Sequence, residues 1–354
     1  MTWWKPPACL TLALTVIVSC DRTPELKPAP AAPTRPAPSS ATAPHAPGSA
    51  SSAPATTSFR FQASSRLVAI GDVHGDLKAL RAALRLAGAI DSEDSWIGKD
   101  LTVVQTGDQV DRGDQDREVL DVLEKLEHEA QKAGGALHVL LGNHELMQPS
   151  FDFRYVTRKS FESFTDFASR APSVTSRLPA AERGRAAAFA PGGPYAQKLA
   201  RHLTIAVVGD TLFAHAGVLP AHVDYGIARI NAEASGYLAG QRDLPRVLAS
   251  EDSPVWTRAY GGAVEGATCE ILGRVLAEVG AKRLVVGHTV QQDGINGACG
   301  ERLFRIDVGL SAFYGGRTVQ VLEVTAQGAR ILTEGATSKG QKSAPRDSAV
   351  HSAP

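Results

Sequence analysis

Residues 67–77 read LVAIGDVHGDL, an apolar run followed at once by side chains of the kind that bind metal ions. Asp72, His74 and Asp76 fall within five positions, with glycines at positions 71 and 75. The apolar run predicts a buried strand, and a charge at the end of a buried strand is costly unless it has a partner. Groups that compensate these charges must therefore come from elsewhere in the sequence or from a bound ligand.

Length, composition and charge limit the number of domains and the kinds of partner that can be expected. The chain has 354 residues, an apolar fraction of 43% and equal numbers of basic and acidic residues, 37 of each. This is typical of a globular protein with one large or two ordinary domains. A net charge of zero gives no basic footprint for nucleic acid, which we therefore do not expect as a partner.

The first 20 residues predict a lipoprotein-type export signal. Lys5 precedes an apolar run that is too short to span a bilayer as a helix. The run ends at residues 17–20 in IVSC, which resembles the lipobox of bacterial lipoproteins. That resemblance implies acylation of Cys20, attachment to a membrane and a location on the periplasmic side of the bacterial cell envelope. Ordinary signal cleavage with secretion is the alternative.

The rest of the chain divides by composition into a linker, a folded domain and a tail. Residues 21–58 are rich in Pro, Ala and Ser, and residues 334–354 are polar, so both are predicted to be disordered, the first as a tether. Residues 59–333 carry the apolar patterns of one folded domain. Within it, residues 147–200 interrupt the regular pattern and predict a helical cap, whose aromatic residues form either its own core or a substrate groove.

The folded region predicts an α/β protein. Strand and helix patterns alternate from residue 66 to residue 145, which is typical of a parallel βαβαβ unit with ligands at the carboxyl ends of its strands. The second half predicts a hairpin around Gly209 and Asp210, a helix from Ala267 to Val279 and several short strands. We expect these last strands to form a second sheet packed on the first.

Five apolar strands end in the same kind of chemistry. The segments are AIGDVHGD, VVQTGDQVDRGD, VLLGNHE, LFAHAG and LVVGHT. If the strand ends meet, six ligand side chains come together: Asp72, His74, Asp108, Asn143, His215 and His288. Carboxylate, imidazole and amide groups together suit manganese, iron or zinc better than calcium. Bound cations would therefore compensate the charges at the strand ends.

In this order, the motifs GDxHG, GDxxDRG, GNHE, HAG and GHT resemble the phosphoprotein phosphatase branch of the calcineurin-like metallophosphoesterases. The variant HAG and the ending DVGLSAFYGG look most like the Shewanella-like phosphatase subgroup. The resemblance implies the calcineurin-like metallophosphoesterase fold, with two packed mixed β-sheets flanked by helices around the βαβαβ metal-binding core. It covers roughly residues 66–325.

The resemblance also implies two divalent metal ions (Mn, Fe or Zn) bridged by Asp108. Asp72 and His74 would complete the first site, and Asn143, His215 and His288 would complete the second. Two such cations can acidify a bridging water to hydroxide and hold a phosphate for in-line attack.

Four further residues receive catalytic roles from the same resemblance. His144 would protonate the departing oxygen, and Asp111 would orient its imidazole. Arg112 would hold the phosphate oxygens in a fork. The usual WSDP motif that carries a second arginine is absent, and SPVWTRAY supplies Arg258 instead, with Arg154 as the alternative at the pocket rim.

The implied function is hydrolysis of phosphomonoesters by attack of the metal-bridged hydroxide on phosphorus, on phosphoproteins carrying phosphoserine, phosphothreonine or phosphotyrosine. Small phosphate esters and dinucleoside polyphosphates are alternative substrates. A non-catalytic protein in which metals act as structural staples is an alternative of another class, disfavoured because His144 and Asp111 serve chemistry and not metal binding in the family pattern.

Two cysteines remain outside the export segment. Cys269 and Cys299 form either a disulfide, as export to an oxidising compartment would favour, or a pair of free thiols. The other histidines of the folded region, His128, His138, His202 and His222, are predicted to be structural.

Overall fold

The computed structural model describes residues 58–336. The predicted export signal with Cys20, nearly all of the predicted tether and most of the predicted tail lie outside the described residues. Within residues 58–336, no helix combines the length and apolar character needed to cross a bilayer.

The strands of the described residues form two mixed sheets. In chain order they are β1 (Arg60–Phe61), β2 (Arg66–Ile70), β3 (Thr102–Gln105), β4 (Ala136–Val139), β5 (Ile205–Val208), β6 (Thr211–Ala214), β7 (Arg283–Val286), β8 (Asn296–Ala298), β9 (Leu303–Arg305), β10 (Gln320–Thr325) and β11 (Gly328–Thr333). One sheet has the order β11-β10-β2-β3-β4, and the other has the order β1-β5-β6-β7-β9-β8. Two mixed sheets are what the sequence predicts.

Ten α-helices of the described residues flank or cap the sheets. They are α1 (Leu77–Leu86), α2 (Asp116–Lys132), α3 (Asn143–Met147), α4 (Arg158–Glu162), α5 (Arg183–Phe189), α6 (Pro194–Leu199), α7 (Pro220–Tyr225), α8 (Ile227–Leu238), α9 (Arg246–Ala249) and α10 (Gly266–Val279). Helix α1 begins where Asp76 accepts a hydrogen bond from the backbone N–H of Ala79, at 2.9 Å. This is an ordinary N-cap, so one acidic residue of the opening motif serves the helix.

The predicted βαβαβ unit is present as β2, α1, β3, α2 and β4. Strands β2, β3 and β4 run parallel, and every residue of β3 is buried. Their carboxyl ends are joined by backbone hydrogen bonds. The carbonyl of Ile70 accepts from Thr106, and the carbonyl of Asp108 accepts from the N–H groups of Val73 and His74. The loops that carry the motif residues are therefore held against one another at one edge of the sheet.

The position of the last two strands differs from the expectation. Strand β10 pairs antiparallel with β2, and β11 pairs with β10, so both belong to the first sheet. The second sheet consists of β1 and β5 to β9. Strand β10 covers the edge of β2 that would otherwise be left unpaired. No local sequence pattern specifies which distant strand a short strand will pair with. The predicted assignment of β10 and β11 to the second sheet was wrong for this reason.

The stretch between the fourth and fifth motifs is more regular than the sequence indicates. It contains α7, α8 and α9, in a stretch for which the sequence analysis predicts no helix before Ala267. Helix α8 buries Ile227, Ile230, Ala234 and Leu238, which follow helical spacing. That periodicity was present in the sequence and was overlooked.

The insert is helical, as predicted, and consists of short α- and 3-10 helices. Phe164, Phe189 and Tyr195 are buried there, with ring centroids 5.0 to 5.6 Å apart. These three aromatic residues form the core of the insert and do not line a groove.

Cys269 on α10 and Cys299 after β8 form a disulfide, with Cα atoms 5.3 Å apart. The two alternatives for this pair were left open by the sequence, because pairing depends on a distance between segments 30 residues apart.

Candidate metal centre and active site

The six predicted metal ligands all lie at the carboxyl edge of the two sheets. Two follow β2, one follows β3, one opens α3, one follows β6 and one follows β7: Asp72, His74, Asp108, Asn143, His215 and His288. Five are buried and His288 is partly buried. The predicted convergence is therefore present.

Asp108 lies at the centre of this cluster. Its Oδ2 is 3.2 Å from Nε2 of His215, 3.7 Å from Nε2 of His74 and 3.8 Å from Nε2 of His144. Two groups with metal-binding potential share it, namely His74 with Asp108 and His144, and Asp108 with His215 and His288. A carboxylate common to two groups is what a bridging ligand requires.

Asp72 does not belong to either of these close groups. Its carboxylate accepts from the backbone N–H of His288 at 3.1 Å, and its Oδ1 is 4.0 Å from Nδ1 of His215. It therefore lies beside the second group, whereas the resemblance pairs it with His74. His144, predicted to be an acid, lies nearer to the first group.

Backbone hydrogen bonds fix the ring orientation of two histidines. Nδ1 of His215 is 2.9 Å from the carbonyl of Thr106, and Nδ1 of His74 is 3.1 Å from the carbonyl of Val110. Each Nδ1 must therefore donate its proton, which leaves the lone pair of Nε2 directed into the cluster. This is how histidine ligands are held ready for a metal ion.

The lone pairs converge in a way that calls for a cation. Nε2 of His215 is 3.0 Å from Oδ1 of Asn143 and 3.2 Å from Nδ1 of His288. Nitrogen and oxygen lone pairs that face each other repel unless a positive charge lies between them. The donor set fits a borderline divalent metal.

The histidines of the metal-free cluster differ in charge preference, because Asp108 outweighs burial and raises the pKa of His215, whereas the pKa values of His74 and His288 are lowered. Burial lowers the pKa of His74 to about 3, and burial together with neighbouring His215 lowers the pKa of His288 to about 3. Both rings are therefore neutral, the form that binds metal. Burial, then Asp307 and Asp108, raise the pKa of Asp72 well above its usual range. Crowded carboxylates of this kind are relieved by bound cations.

His144 and Asp111 form a buried pair. Nδ1 of His144 lies 2.6 Å from Oδ2 of Asp111, so Nε2 faces the cluster. Burial opposes the charged imidazole, but Asp108 and Asp111 outweigh it and raise the pKa of His144. A carboxylate and histidine pair of this geometry can give a proton to a leaving group.

Arg112 lies next to this pair, with Nη2 3.4 Å from Nε2 of His144. The rings of Tyr155, Phe313 and Tyr314 surround its guanidinium at 5.3, 5.6 and 5.4 Å. Its backbone N–H donates to the carbonyl of Tyr155 at 2.8 Å, which attaches the insert to the motif loop. The guanidinium is thus packed between aromatic faces directly beside the proposed acid, where it can meet an anion that enters the cluster.

The two candidates for the second arginine differ in their partners. Arg258 donates to Oγ1 of Thr289, at 3.1 Å, within the fifth motif. Arg154 is 2.6 Å from the carboxylate of Asp152, and its side chain is 65% exposed. Because Arg154 is already paired and Arg258 is attached to the ligand loop, the geometry favours Arg258.

Two buried carboxylates at the site were given no role by the sequence analysis. Glu145 accepts backbone N–H groups of Asp108, Gln109 and Gly142 at 2.9, 2.8 and 2.7 Å, and so clamps two ligand loops together. Asp307 follows β9, and burial raises its pKa to about 6. Asp307 follows an apolar strand, as the predicted ligands do, so the same sequence pattern could have predicted that it lies at the site.

Two glycines allow the loops to approach so closely. A Cβ on Gly107, whose φ is 104°, would lie 2.8 Å from Nδ1 of His215. A Cβ on Gly287 would lie 2.3 Å from Oδ1 of Asp72. Any larger residue at either position would push a ligand out of the cluster.

Residues 65–292 match the family described as calcineurin-like phosphoesterase. The match spans more than half of the chain, and the chain belongs to this family. The fold class and the family predicted from the motifs are confirmed.

Relatives narrow the class further. The chain is 39% identical over 308 residues to Shewanella-like protein phosphatase 2 of Arabidopsis thaliana, covering 77% of this chain and 79% of the relative. It is 31% identical to Shewanella-like protein phosphatase 1 of Plasmodium berghei, covering 70% and 68%. Among solved structures, the cold-active protein-tyrosine phosphatase of a psychrophilic Shewanella species superposes with a TM-score of 0.66 at 25% identity, covering 78% and 80%. The protein is a metal-dependent phosphatase.

Proposed function

We propose that the protein is a dinuclear-metal-dependent phosphatase that hydrolyses phosphomonoesters on proteins, with phosphotyrosine as the preferred residue. The observation that carries the dinuclear proposal is the position of Asp108, which belongs to both groups of potential ligands. Asp72 and His74 would complete one ion's environment, and His215, His288 and Asn143 would complete the other. When bound, the ions supply Lewis acidity to the phosphoryl oxygens and to water.

The residues of the chain then have separate tasks. Arg112 and Arg258 hold the phosphate oxygens, because a planar guanidinium can donate to two oxygens at once. Nε2 of His144 gives its proton to the departing oxygen, and Asp111 keeps the opposite ring nitrogen, Nδ1, as a donor.

The substrate class is proposed from the walls around Arg112. Tyr155 and Phe313 are 40% and 63% exposed, so their rings are open to a group that reaches the arginine from a protein surface. Aromatic walls favour an aryl ester, since a phosphotyrosine ring can pack against them and a phosphoserine side chain cannot. The names of the relatives, two protein phosphatases and one protein-tyrosine phosphatase, support the same substrate class.

Matched phosphopeptides test this proposal. Peptides of one sequence that carry phosphotyrosine, phosphothreonine or phosphoserine, together with a small phosphate monoester and diadenosine tetraphosphate, are compared with manganese in the buffer. We expect the highest kcat/KM for the phosphotyrosine peptide. Replacing both Tyr155 and Phe313 by Leu should lower kcat/KM for the phosphotyrosine peptide more than for the phosphoserine peptide, because both substrates depend on Arg112 but only the aryl ester packs on these rings. A preference for diadenosine tetraphosphate, or an unchanged ranking in the variant, would reject the substrate assignment.

The cellular location is a separate proposal. We propose that the catalytic domain is exported to the periplasmic side of a bacterial envelope and anchored by lipid on Cys20. The Cys269–Cys299 disulfide supports an oxidising compartment. Cys20→Ala should move the protein from the membrane fraction to the soluble periplasmic fraction, and mass spectrometry should find no acylated N-terminus. Retention of the variant in the membrane fraction would contradict the anchor.

A further inference from the structure

Arg185 is a fully buried cation directly behind the His144 and Asp111 pair. It lies on α5 within the insert, and its side chain has no exposed surface. Burying an arginine without partners is costly, so its partners indicate what it does. Nη2 donates to Oδ1 of Asp111 at 3.1 Å, and Nη1 lies 2.7 Å from Oδ2 of Asp116. The insert thus reaches the carboxylate that orients the proposed acid.

Arg185 also determines how Gln148 is oriented. Nε of Arg185 donates to Oε1 of Gln148 at 2.9 Å. Because a guanidinium can only donate, the amide oxygen must face Arg185, and the amide NH₂ must face the other way. Nε2 of Gln148 accordingly donates to Asp111, at 3.1 and 3.2 Å, and to the carbonyl of His144, at 3.0 Å.

The two oxygens of Asp111 are thereby used differently. Gln148 donates to both oxygens, but Arg185 donates to Oδ1, and Oδ2 is turned toward Nδ1 of His144, 2.6 Å away. The backbone at Asp111 is fixed as well, since its N–H donates to Oδ1 of Asp116 at 3.0 Å. Arg185 contacts the carboxylates of both Asp111 and Asp116. It therefore fixes the side chain of Asp111 and also the residue that holds the backbone of Asp111.

The surroundings keep water away from the network. The rings of Phe189, Phe164 and Phe153 lie 4.9, 5.3 and 6.0 Å from the guanidinium carbon of Arg185. Phe164 and Phe189 are fully buried. Ion pairs are stronger where water is excluded, so solvent does not weaken the ion pair between Arg185 and Asp111.

We infer that Arg185 is a positioning residue for the proton transfer: it holds Asp111 so that Nε2 of His144 faces the departing oxygen. In that step water forms the new bond to phosphorus and releases one proton to solvent, from which His144 is later reprotonated, and the bond to the departing oxygen breaks with its electron pair left on that oxygen. The oxygen then takes the proton from His144. The inference rests on the proposed function, because it assigns Arg185 to the same acid.

Leaving-group dependence separates positioning from a general structural role. Phenyl phosphate needs an acid because phenolate is a poor leaving group, whereas 4-nitrophenyl phosphate needs it far less. Arg185→Met should lower kcat on phenyl phosphate by about 100-fold and kcat on 4-nitrophenyl phosphate by only about threefold, with KM changed less than about twofold. Arg185→Lys keeps the charge but loses the fork, so its losses should be intermediate.

The control is Arg183→Met on the same helix, since Arg183 donates to the carbonyls of Leu178 and Ser176, away from the dyad. It should leave both rates unchanged. In a His144→Asn background, Arg185→Met should add no loss that depends on the leaving group. If the Met variant does not fold, Arg185→Lys decides alone, with an expected difference of about fivefold between the losses on the two substrates.

Equal losses on both esters for the folded Arg185 variants, or a leaving-group-dependent loss that persists without His144, would overturn the inference. The proposed function fails in a different way. If the loss of kcat in His144→Asn is the same for both esters, His144 is not the acid. Arg185 then has no positioning role in the proton transfer.

Discussion

Oδ2 of Asp111 lies 2.6 Å from Nδ1 of His144, and both side chains are buried beside the metal-ligand cluster. This distance leaves Nε2 as the ring nitrogen that can act on a substrate. His144→Asn should therefore retain the bound metal but reduce kcat by roughly two to four orders of magnitude.

Metal analysis and steady-state kinetics on the same preparation check this prediction. Asp108→Asn is the matched comparison, because it removes the shared carboxylate and should lower both metal content and turnover. A His144→Asn variant that keeps full turnover would remove the acid assignment.

Arg258 and Arg154 offer a direct comparison of the two candidates for the second phosphate-holding arginine. Hydrogen bonds to charged groups are worth about 1.5–3 kcal/mol, so Arg258→Ala should lower kcat/KM by roughly 10- to 100-fold. Arg154→Ala should change it by less than about threefold, because an exposed pair such as Arg154 with Asp152 contributes little. Steady-state kinetics with one phosphopeptide measure both variants, and the reverse ranking would transfer the role to Arg154.

The disulfide should contribute strongly to stability. It closes a loop of 30 residues between α10 and the segment after β8. In the chain-entropy account, a loop of that length stabilises the folded state by about 3–4 kcal/mol. The double variant Cys269→Ser, Cys299→Ser should show that loss in denaturant unfolding, with a higher m-value because the denatured chain without the crosslink exposes more surface. An unfolding midpoint equal to that of the oxidised protein would contradict the prediction.

His138 should make the domain sensitive to acid. Its ring packs on Phe61 at 4.3 Å, and burial lowers its pKa below the ordinary 6.5, with Glu127 acting more weakly in the opposite direction. Because the folded pKa lies below the unfolded one, the unfolded chain binds more protons at low pH. Stability therefore declines as the pH falls through 6.5.

His138→Phe should remove this part of the pH dependence, because Phe cannot take up a proton. Unfolding free energies of metal-free wild type and variant, measured from pH 7.5 to 5.5, should converge or cross in favour of the variant as the pH falls. His128→Gln, at an exposed position on α2, is the control. A variant that loses stability with acid as steeply as wild type would show that His138 is not responsible.

The sequence predicted those parts of the site that depend on local pattern. Residues such as Asp72, Asp108 and His288 each follow an apolar strand, and parallel strands bring their carboxyl ends together, so the cluster could be predicted without a structure. The hairpin at Gly209 could be predicted for the same reason, since its turn is local.

What could not be predicted depends on contacts between distant segments. Strand β10 pairs with β2 from more than 200 residues away, and its own residues do not specify which edge it will cover. Arg185 lies in RGRAAAF, where an arginine would be expected to face solvent, and only the fold places it against Asp111. Whether Cys269 and Cys299 form a disulfide or remain free thiols was left open, because pairing depends on such a distance.

Anomalous diffraction from crystals grown with manganese would show whether Asp108 is shared by two ions. We expect two manganese peaks about 3.5–4 Å apart on either side of the Asp108 carboxylate. His74 should bind one ion, and His215 and His288 should bind the other. A single peak, or peaks away from Asp108, would contradict the dinuclear centre on which the proposed function depends.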